Sequence, residues 1–411
     1  MTSGSLKVHI AYTEEQQALQ RELRAYFTDL MTPERRAALV GGTEAGRAKR
    51  RGMDTGEYGE AYRDVVSRMG KDGWLALGWP TEYGGQNRSM MDQLIFTDEA
   101  AVAGAPVPFL TINSVAPTIM HYGTDEQKAY FLPKIAAGDL HFSIGYSEPG
   151  AGTDLANLRT TAVTDGDEYV INGQKMWTSL VPYADYIWLA CRTDQSGLAD
   201  GAKKHRGISV LTVPTTAPGF DYTVVHTMSG VDTSATYYSD VRVPRSSLVG
   251  EEGRGWALVT NQLNNERVAL CSAAPIQIAL GETIAWARES GLIEQQWVRT
   301  NLARVHAKVE FLKLINWKIA SAVGSGSAPS PADASATKVF GTEFATEAYR
   351  LLMEIVGPAA TLRQGSTGAH LAGRLERFQR TSLILTFGGG TNEVQRDIIA
   401  MTALKLPYSR R

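Results

Sequence analysis

Cysteine is almost absent from this sequence: 411 residues carry two, Cys191 and Cys271, with no Cys-x-x-Cys pair. Both lie in apolar segments, so reduced thiols are expected rather than a disulfide framework or a thiolate metal site. Histidine is scarce as well. Its seven copies are scattered, and no two stand at the spacing that sets a pair of metal ligands on one helix face. Neither sign of charge dominates, since 41 Lys and Arg oppose 43 Asp and Glu. Without a basic field, neither nucleic acid nor a membrane surface is an expected partner. No long apolar run occurs, and the opening Met-Thr-Ser-Gly-Ser-Leu-Lys has no apolar secretory core. The expectation is a cytoplasmic, metal-free globular protein, long enough for two or three structural units.

What is present falls into three rhythms. The first stretch is helical. Thr13 and Gln16 form a capping-box pattern ahead of Leu19, Leu23, Phe27 and Leu30 on one face. A Gly- and Arg-rich stretch from Gly41 to Gly52 reads as a loop or linker. A second helix carrying Tyr62, Val65, Val66 and Met69 is expected to stop at Gly70, and a third to begin at Thr124. After about residue 140 the period shortens. Asp165-Gly166 and Asn172-Gly173 read as hairpin turns, and strand-like runs follow at Tyr186–Cys191, Ile208–Val213, Tyr222–Val225 and Tyr237–Val243. From Trp256 the pattern is helical again, with Ser330-Pro331 opening one helix after the loop Gly324–Pro329. The expected fold is α+β and multidomain: a helical domain (residues 1–139), a small antiparallel β-domain (140–250) and a C-terminal four-helix-bundle domain (251–411).

Three segments carry chemistry in this order: Tyr146-Ser-Glu-Pro-Gly-Ala-Gly-Thr-Asp154, Asn172-Gly-Gln-Lys-Met-Trp-Thr-Ser179 and Gly390-Thr-Asn-Glu-Val-Gln-Arg396. Together, at these separations, they resemble the acyl-CoA dehydrogenases over nearly the whole chain. The resemblance implies an FAD-dependent oxidation of an acyl-CoA thioester. It places Tyr146, through its backbone, and Ser147, through its hydroxyl, at the pyrimidine edge of the flavin, whose carbonyls need partners once out of water. Gly152 then allows close approach, and Thr153 donates to a pyrophosphate oxygen. Trp177 covers one face of the ring, and Ser179 stands near N5. Thr391 and Glu393 of the third segment are counted with the cofactor contacts.

Such an oxidation removes an α proton with a carboxylate held in a dry site, and polarises the thioester oxygen with fixed donors. Many family members place the carboxylate immediately before the Gly-Thr that matches Gly390-Thr391. Here that position is Gly389. A second family solution sets a glutamate directly before an arginine on another helix, and Asn265-Glu266-Arg267 stands there. Glu266 is therefore the expected base, with Arg267 auxiliary and the Gly389 backbone N–H the donor to the thioester oxygen. The family's Arg-x-x-Phe-Gly grip on a neighbour's FAD is missing from Trp286–Ile293, and Met353 replaces a glutamine. This half-site resembles the catalytic subunit of actinobacterial heteromeric steroid side-chain acyl-CoA dehydrogenases. Lys203–Val210, Asp232–Pro244 and Leu383–Arg396 look closest to that subgroup. A related subunit would supply the adenosine and pyrophosphate grip in a heterotetramer, with electron transfer flavoprotein as acceptor. Two other readings are a non-catalytic subunit completing a partner's site and an oxygen-using oxidase or hydroxylase on the same fold.

Overall fold

The computed structural model describes residues 10–40, 56–199, 203–230, 232–269, 271–324 and 330–407, without the side chains of residues 40, 56–58, 199, 263–269, 323 and 324. The Gly41–Gly52 stretch, and all of the loop before Ser330 except Gly324, lie outside them.

Helix α1 (Glu14–Leu30) opens as its sequence demands. The Thr13 hydroxyl accepts the Gln16 backbone N–H, and the Gln16 side chain accepts that of Thr13, satisfying two donors the first turn leaves orphaned. Its buried stripe is Leu19, Leu23, Phe27 and Leu30. After α2 (Pro33–Val40), helix α3 (Gly56–Lys71) buries Tyr62, Val65, Val66 and Met69. It does not stop at Gly70. A Cβ there would lie 2.2 Å from the Ala137 carbonyl, so this glycine serves a close helix approach rather than a cap.

Helix α4 (Met90–Ala103) is an additional element not expected from the sequence, and it starts on a Ser89–Asp92 capping box. Its buried residues Ile95, Phe96, Glu99, Ala100 and Ala103 share one face, but Met90, Met91, Leu94, Ala101 and Val102 make the rest of the helix apolar too and blur the periodic signal. Glu99 is tied down by Arg24 at 2.8 Å and Gln20 at 2.9 Å. A turn with π-type bonding (Thr111–Val115) leads into α5 (Ala116–Tyr122), and α6 (Asp125–Ala136) begins on the Thr124 capping box.

Eight strands form one sheet: β1 (Phe142–Gly145), β2 (Thr161–Asp165), β3 (Glu168–Ser179), β4 (Tyr186–Arg192), β5 (Ile208–Pro214), β6 (Phe220–Val225), β7 (Thr233–Pro244) and β8 (Leu248–Val249). The order is β6-β7-β3-β2-β4-β5-β8, with β1 beside β4. Most joins are antiparallel, but β1 and β2 each meet β4 in parallel, so the domain is mixed. Alternation along β4 divides the cores. Trp188 and Ala190 pack into the N-terminal helices, whereas Ile187, Leu189 and Cys191 join Tyr169, Ile171 and Val241 on the other face. Burial pushes the Cys191 and Cys271 thiols up to about 12, which leaves both inert.

Asp165-Gly166 is the hairpin turn between β2 and β3. Asn172-Gly173 is not a turn. It lies inside β3, where the ladder to β7 shifts register, and the Asn172 amide pairs with Asp240 instead. Gly173 has φ +150° and a Cβ there would sit 2.6 Å from the Thr160 hydroxyl, so the Asn-Gly pair builds a bulge.

The C-terminal helices are α7 (Gly255–Ala269), α8 (Ala274–Glu289), α9 (Gln296–Gly324), α10 (Pro331–Val356), α11 (Arg374–Leu385) and α12 (Asn392–Thr402). Val298, Val305, Val309, Leu312, Phe344, Ala348 and Leu352 form a second core with Ile276 of α8 and Leu375 of α11, while Leu258 and Val259 of α7 pack into the first. Proline holds the first position of α10 after Ser330, whose side chain makes no capping bond.

Ser272 joins the two helical regions by donating to Asp98 of α4 at 2.6 Å. Asp98 is half-buried in that seam. Desolvation pushes its carboxyl up to about 6, against the opposing pull of the Ser272 hydrogen bond. The folded chain thus holds a proton that the unfolded chain has released between about pH 4 and about pH 6, and stability falls as pH rises through that window. Asp98→Asn is expected to match the parent at pH 4 and to exceed its stability at pH 7 by about 1–2 kcal/mol, read by urea unfolding. Equal stability at both pH values would refute this account of the seam.

Candidate active site

The first wall of the site is the loop after β1. Glu148 and Ala151 exchange backbone hydrogen bonds of 2.9 and 3.1 Å, closing a tight turn around Pro149-Gly150. The Glu148 carboxylate then accepts the backbone N–H groups of Arg159 (2.7 Å) and Thr160 (2.8 Å). Its third donor is the ammonium of Lys175 at 2.8 Å, which also donates to the Tyr146 carbonyl at 3.0 Å. Lys175 is fully buried. Burial alone would raise the Glu148 carboxyl, but the Lys175 ammonium and the Thr160 donors hold it below the ordinary carboxylate range. One carboxylate and one ammonium therefore shape the whole segment from Tyr146 to Thr160.

Three positions expected at a flavin lie along this wall. Ser147 is half-buried, its carbonyl bonded to the Met176 N–H at 2.8 Å, and its hydroxyl makes no hydrogen bond among the described residues. Gly152 is exposed, and a Cβ there would meet nothing within 4 Å. The chain itself therefore does not require glycine at 152; any close approach is to something else. Thr153 is exposed beside it. Tyr146 is buried, with its backbone carbonyl already engaged by Lys175.

Trp177 and Ser179 end β3. A second register shift falls between Lys175 and Thr178, and Trp177 sits in it with φ +65°, a conformation costly for a bulky side chain. The result is an indole 58% exposed at the edge of a buried strand. Ser179 is half-buried, its carbonyl held by the Ser143 hydroxyl at 2.7 Å. Nearby, Thr178 and Ser234 face each other across the ladder, and Thr233 lies opposite Ser179. The side-chain oxygens of Thr178, Thr233 and Ser234 are buried without partners. Sequence reasoning missed these three, since buried hydroxyls carry no motif.

The second wall is the loop between α11 and α12. Gly389 and Gly390 have φ of +66° and +93°. Fully buried Lys338 of α10 pins the loop by donating to the Gly390 carbonyl (2.8 Å), the Asn392 side chain (2.8 Å) and the Thr386 carbonyl (3.3 Å). The Gly389 N–H makes no hydrogen bond among the described residues. Thr391 caps α12 by accepting the Val394 N–H at 3.3 Å, so its hydroxyl has a structural task. Glu393 is exposed in the first turn, and its own backbone N–H and the Thr391 hydroxyl hold its carboxyl low. Arg396 grips Glu343 with two bonds of 2.7 and 2.9 Å.

Two contacts bring these walls together. Arg380 of α11 donates to the Met228 carbonyl at 2.7 Å and Thr381 to that of Ser229 at 3.1 Å. They dock the turn that leads into β7, the strand paired with Trp177's, onto the helix that leads into the glycine loop. On the other side, the Tyr146 hydroxyl bonds Gln262 of α7. Glu266 and Arg267 lie on that same helix, but their side chains fall outside the described residues. No group of three or more His, Cys, Asp or Glu among the described residues could hold a metal ion, and no described helix is long and apolar enough to cross a membrane.

A helical–sheet–helical chain with such a loop, an exposed indole on a bulge and a pinned glycine turn belongs to the acyl-CoA dehydrogenase family, a family of FAD-dependent oxidoreductases. The family's N-terminal, middle and C-terminal domains match residues 13–139, 143–241 and 253–404. Among its relatives, acyl-CoA dehydrogenase FadE26 of Mycobacterium tuberculosis is 68% identical over 98% of this chain and 100% of its own. FadE29 of the same organism is 46% identical over 97% and 98%. Of solved structures, the ChsE4-ChsE5 complex from Mycobacterium tuberculosis contains a chain 68% identical with a TM-score of 0.88, covering 98% of this chain and 100% of that one. The Tcur3481-Tcur3483 steroid acyl-CoA dehydrogenase gives 47% identity and a TM-score of 0.89 over 98% and 100%. The expected likeness to heteromeric steroid enzymes is thus borne out.

The buried ion pair behind the first wall yields a direct test. Lys175→Met leaves the Glu148 carboxylate without its counter-charge and is expected to cost about 3 kcal/mol. The double variant Lys175→Met, Glu148→Gln should recover most of that loss in thermal unfolding. A double variant no more stable than the single one would show that the pair is not the organising contact.

Proposed function

We propose that this chain is the base-supplying subunit of a heteromeric α,β-dehydrogenase that acts on the CoA thioester of a sterol side chain. The observation that carries the reading is a displaced carboxylate. The glycine loop Gly388–Gly390 has no acid to offer, while Glu266 stands on α7, the helix joined to Tyr146 through Gln262. The steroid assignment draws on the relatives, two of whose solved complexes pair two chains and one of which is described as a steroid enzyme. The division at residues 139/140 and 250/251 is part of this reading.

FAD fits the residues present. Trp177 offers an exposed aromatic face, Ser147 and Ser179 offer hydroxyls without partners among the described residues, and the open side of Gly152 leaves room beside Thr153. Bound FAD supplies the two-electron acceptor for the β hydrogen. The chain does the rest. Ser147 and the Tyr146 backbone hold the ring's polar edge, Thr153 the pyrophosphate, and Trp177 one ring face, with Thr391 and Glu393 beside it. Glu266 takes the α proton, with Arg267 orienting it, and the Gly389 N–H steadies the thioester oxygen as negative charge develops.

No Phe-Gly follows Arg288, and Met353 lies on α10 where a glutamine would serve the adenosine end. A related subunit therefore completes the pyrophosphate and adenosine grip, and electron transfer flavoprotein accepts the electrons.

Glu266→Gln in the FAD-loaded enzyme, purified with its partner chain, is expected to lower kcat by about 10³-fold with the flavin spectrum unchanged. Flavin reduction by an acyl-CoA of the sterol class, followed by stopped flow, checks this. Unaltered reduction would remove Glu266 from the mechanism.

A further inference from the structure

Buried Arg192, the last residue of β4, directs its guanidinium at four backbone carbonyls. Two belong to the return of the first-wall loop, Leu158 at 2.9 Å and Ala156. The other two belong to the connection between β4 and β5, Arg206 at 2.8 Å and Lys204 at 2.7 Å. The Arg192 backbone N–H adds a tie to the Thr160 carbonyl at 2.8 Å. Arginine has five donors in a fixed fork and can serve all four carbonyls, whereas the three of lysine would leave at least one bare. The buried guanidinium thus sets two loops against each other.

One contact follows outside this hub. With the Lys204 backbone fixed, its ammonium lies 2.7 Å from both carboxylate oxygens of Asp154. The Asp154 side chain makes no other hydrogen bond among the described residues. Both partners are partly exposed, and a pair this open to water adds little to overall stability, so its effect is local. Locally it closes the loop. At one end Glu148 and Ala151 exchange backbone hydrogen bonds, and at the other the Asn157 N–H reaches the Asp154 carbonyl at 3.1 Å. Between these anchors, Gly152 and Thr153 make no hydrogen bond among the described residues, and a Cβ on Gly152 would meet nothing within 4 Å.

We propose that the Lys204–Asp154 clasp, seated by Arg192, keeps Gly152 and Thr153 in the shape that the FAD pyrophosphate requires. Lys204 and Asp154 are positioning residues: they act on the loop, not on the phosphate. The inference rests on the reading of this loop as the pyrophosphate site. An unclasped loop must be ordered when the ligand arrives, and the affinity falls with the fraction of molecules already in the competent shape. A lysine beside an anion site could instead pair with the phosphate itself, and the two roles respond to Asp154 in opposite directions. The clasp needs Asp154. A direct phosphate contact is hindered by it, because the carboxylate competes for the ammonium and repels the anion.

Lys204→Met, Asp154→Ala and the double variant, each in complex with the partner chain and stripped of flavin, are titrated with FAD by fluorescence quenching. Each single variant is expected to weaken FAD binding by about 5-fold, and the double variant to be no weaker than either. The thermal midpoints of the flavin-free complexes should stay at the parental value, while the Asn157 amide exchanges its hydrogen faster. FAD bound by Asp154→Ala at parental affinity or tighter overturns the clasp. So does a double variant whose loss multiplies those of the two singles. A parental complex that takes up no FAD fails the flavin reading itself, and the clasp with it.

Discussion

A single buried ion pair, Lys175 with Glu148, underlies the geometry of the whole candidate site. Lys175 lies in β3 two residues before Trp177, and Glu148 lies two residues after Tyr146. Their contact ties the strand that presents the indole to the loop that presents Ser147, Gly152 and Thr153. Well-packed apolar groups often replace such a pair at little cost in stability, so its contribution here is directional. Glu148 accepts three donors and Lys175 serves two oxygens, so neither group can move without leaving a buried charge exposed to nothing. Even the strained φ at Trp177 follows from this anchorage. With Lys175 held on one side and Thr178 paired to Ser234 on the other, the extra residue is forced outward.

Lys338 plays the matching part on the opposite wall. Its ammonium gathers two backbone carbonyls and the Asn392 side chain, converting a run of three glycines into a fixed turn. Glycine gives that loop access to positive φ, and lysine removes the freedom glycine brings with it. Arg380 and Thr381 then lock the glycine-loop helix to the turn before β7, and Gln262 locks α7 to Tyr146. Three helices and one sheet edge are tied together through polar contacts, most of them with at least one buried partner.

Much of the fold was legible because local chemistry and tertiary structure agree. The Thr13 and Thr124 capping boxes start helices where they should, Asp165-Gly166 turns a hairpin, and the β-branched runs after Tyr186 and Ile208 are strands. Legibility failed where tertiary contact overrode local preference. Asn172-Gly173 has the composition of a turn, but its amide pairs with Asp240 and its backbone bulges against Thr160. Gly70 reads as a stop yet lies under Ala137. Helix α4 buries one face but carries apolar residues such as Met91, Leu94 and Val102 on the rest, and so its period is blurred. In the site, Trp177 and Ser147 were visible through motif and spacing. Lys175, Lys338 and Gln262 were not, because a buried lysine or glutamine is written with the same letter as a solvated one.

The family membership, the loop after β1 and the absent Arg-x-x-Phe-Gly fit the proposal of half a flavin site, with the proposed base on a helix rather than on the glycine turn. The central claim is that this half is insufficient alone. It is tested most directly by measuring FAD content, as the ratio of absorbance near 450 nm to that near 280 nm, for the chain produced alone and with its partner. The account predicts a colourless or weakly loaded single chain and a complex that retains FAD through gel filtration. A single chain that keeps one FAD per copy and oxidises acyl-CoA at the full rate would contradict it.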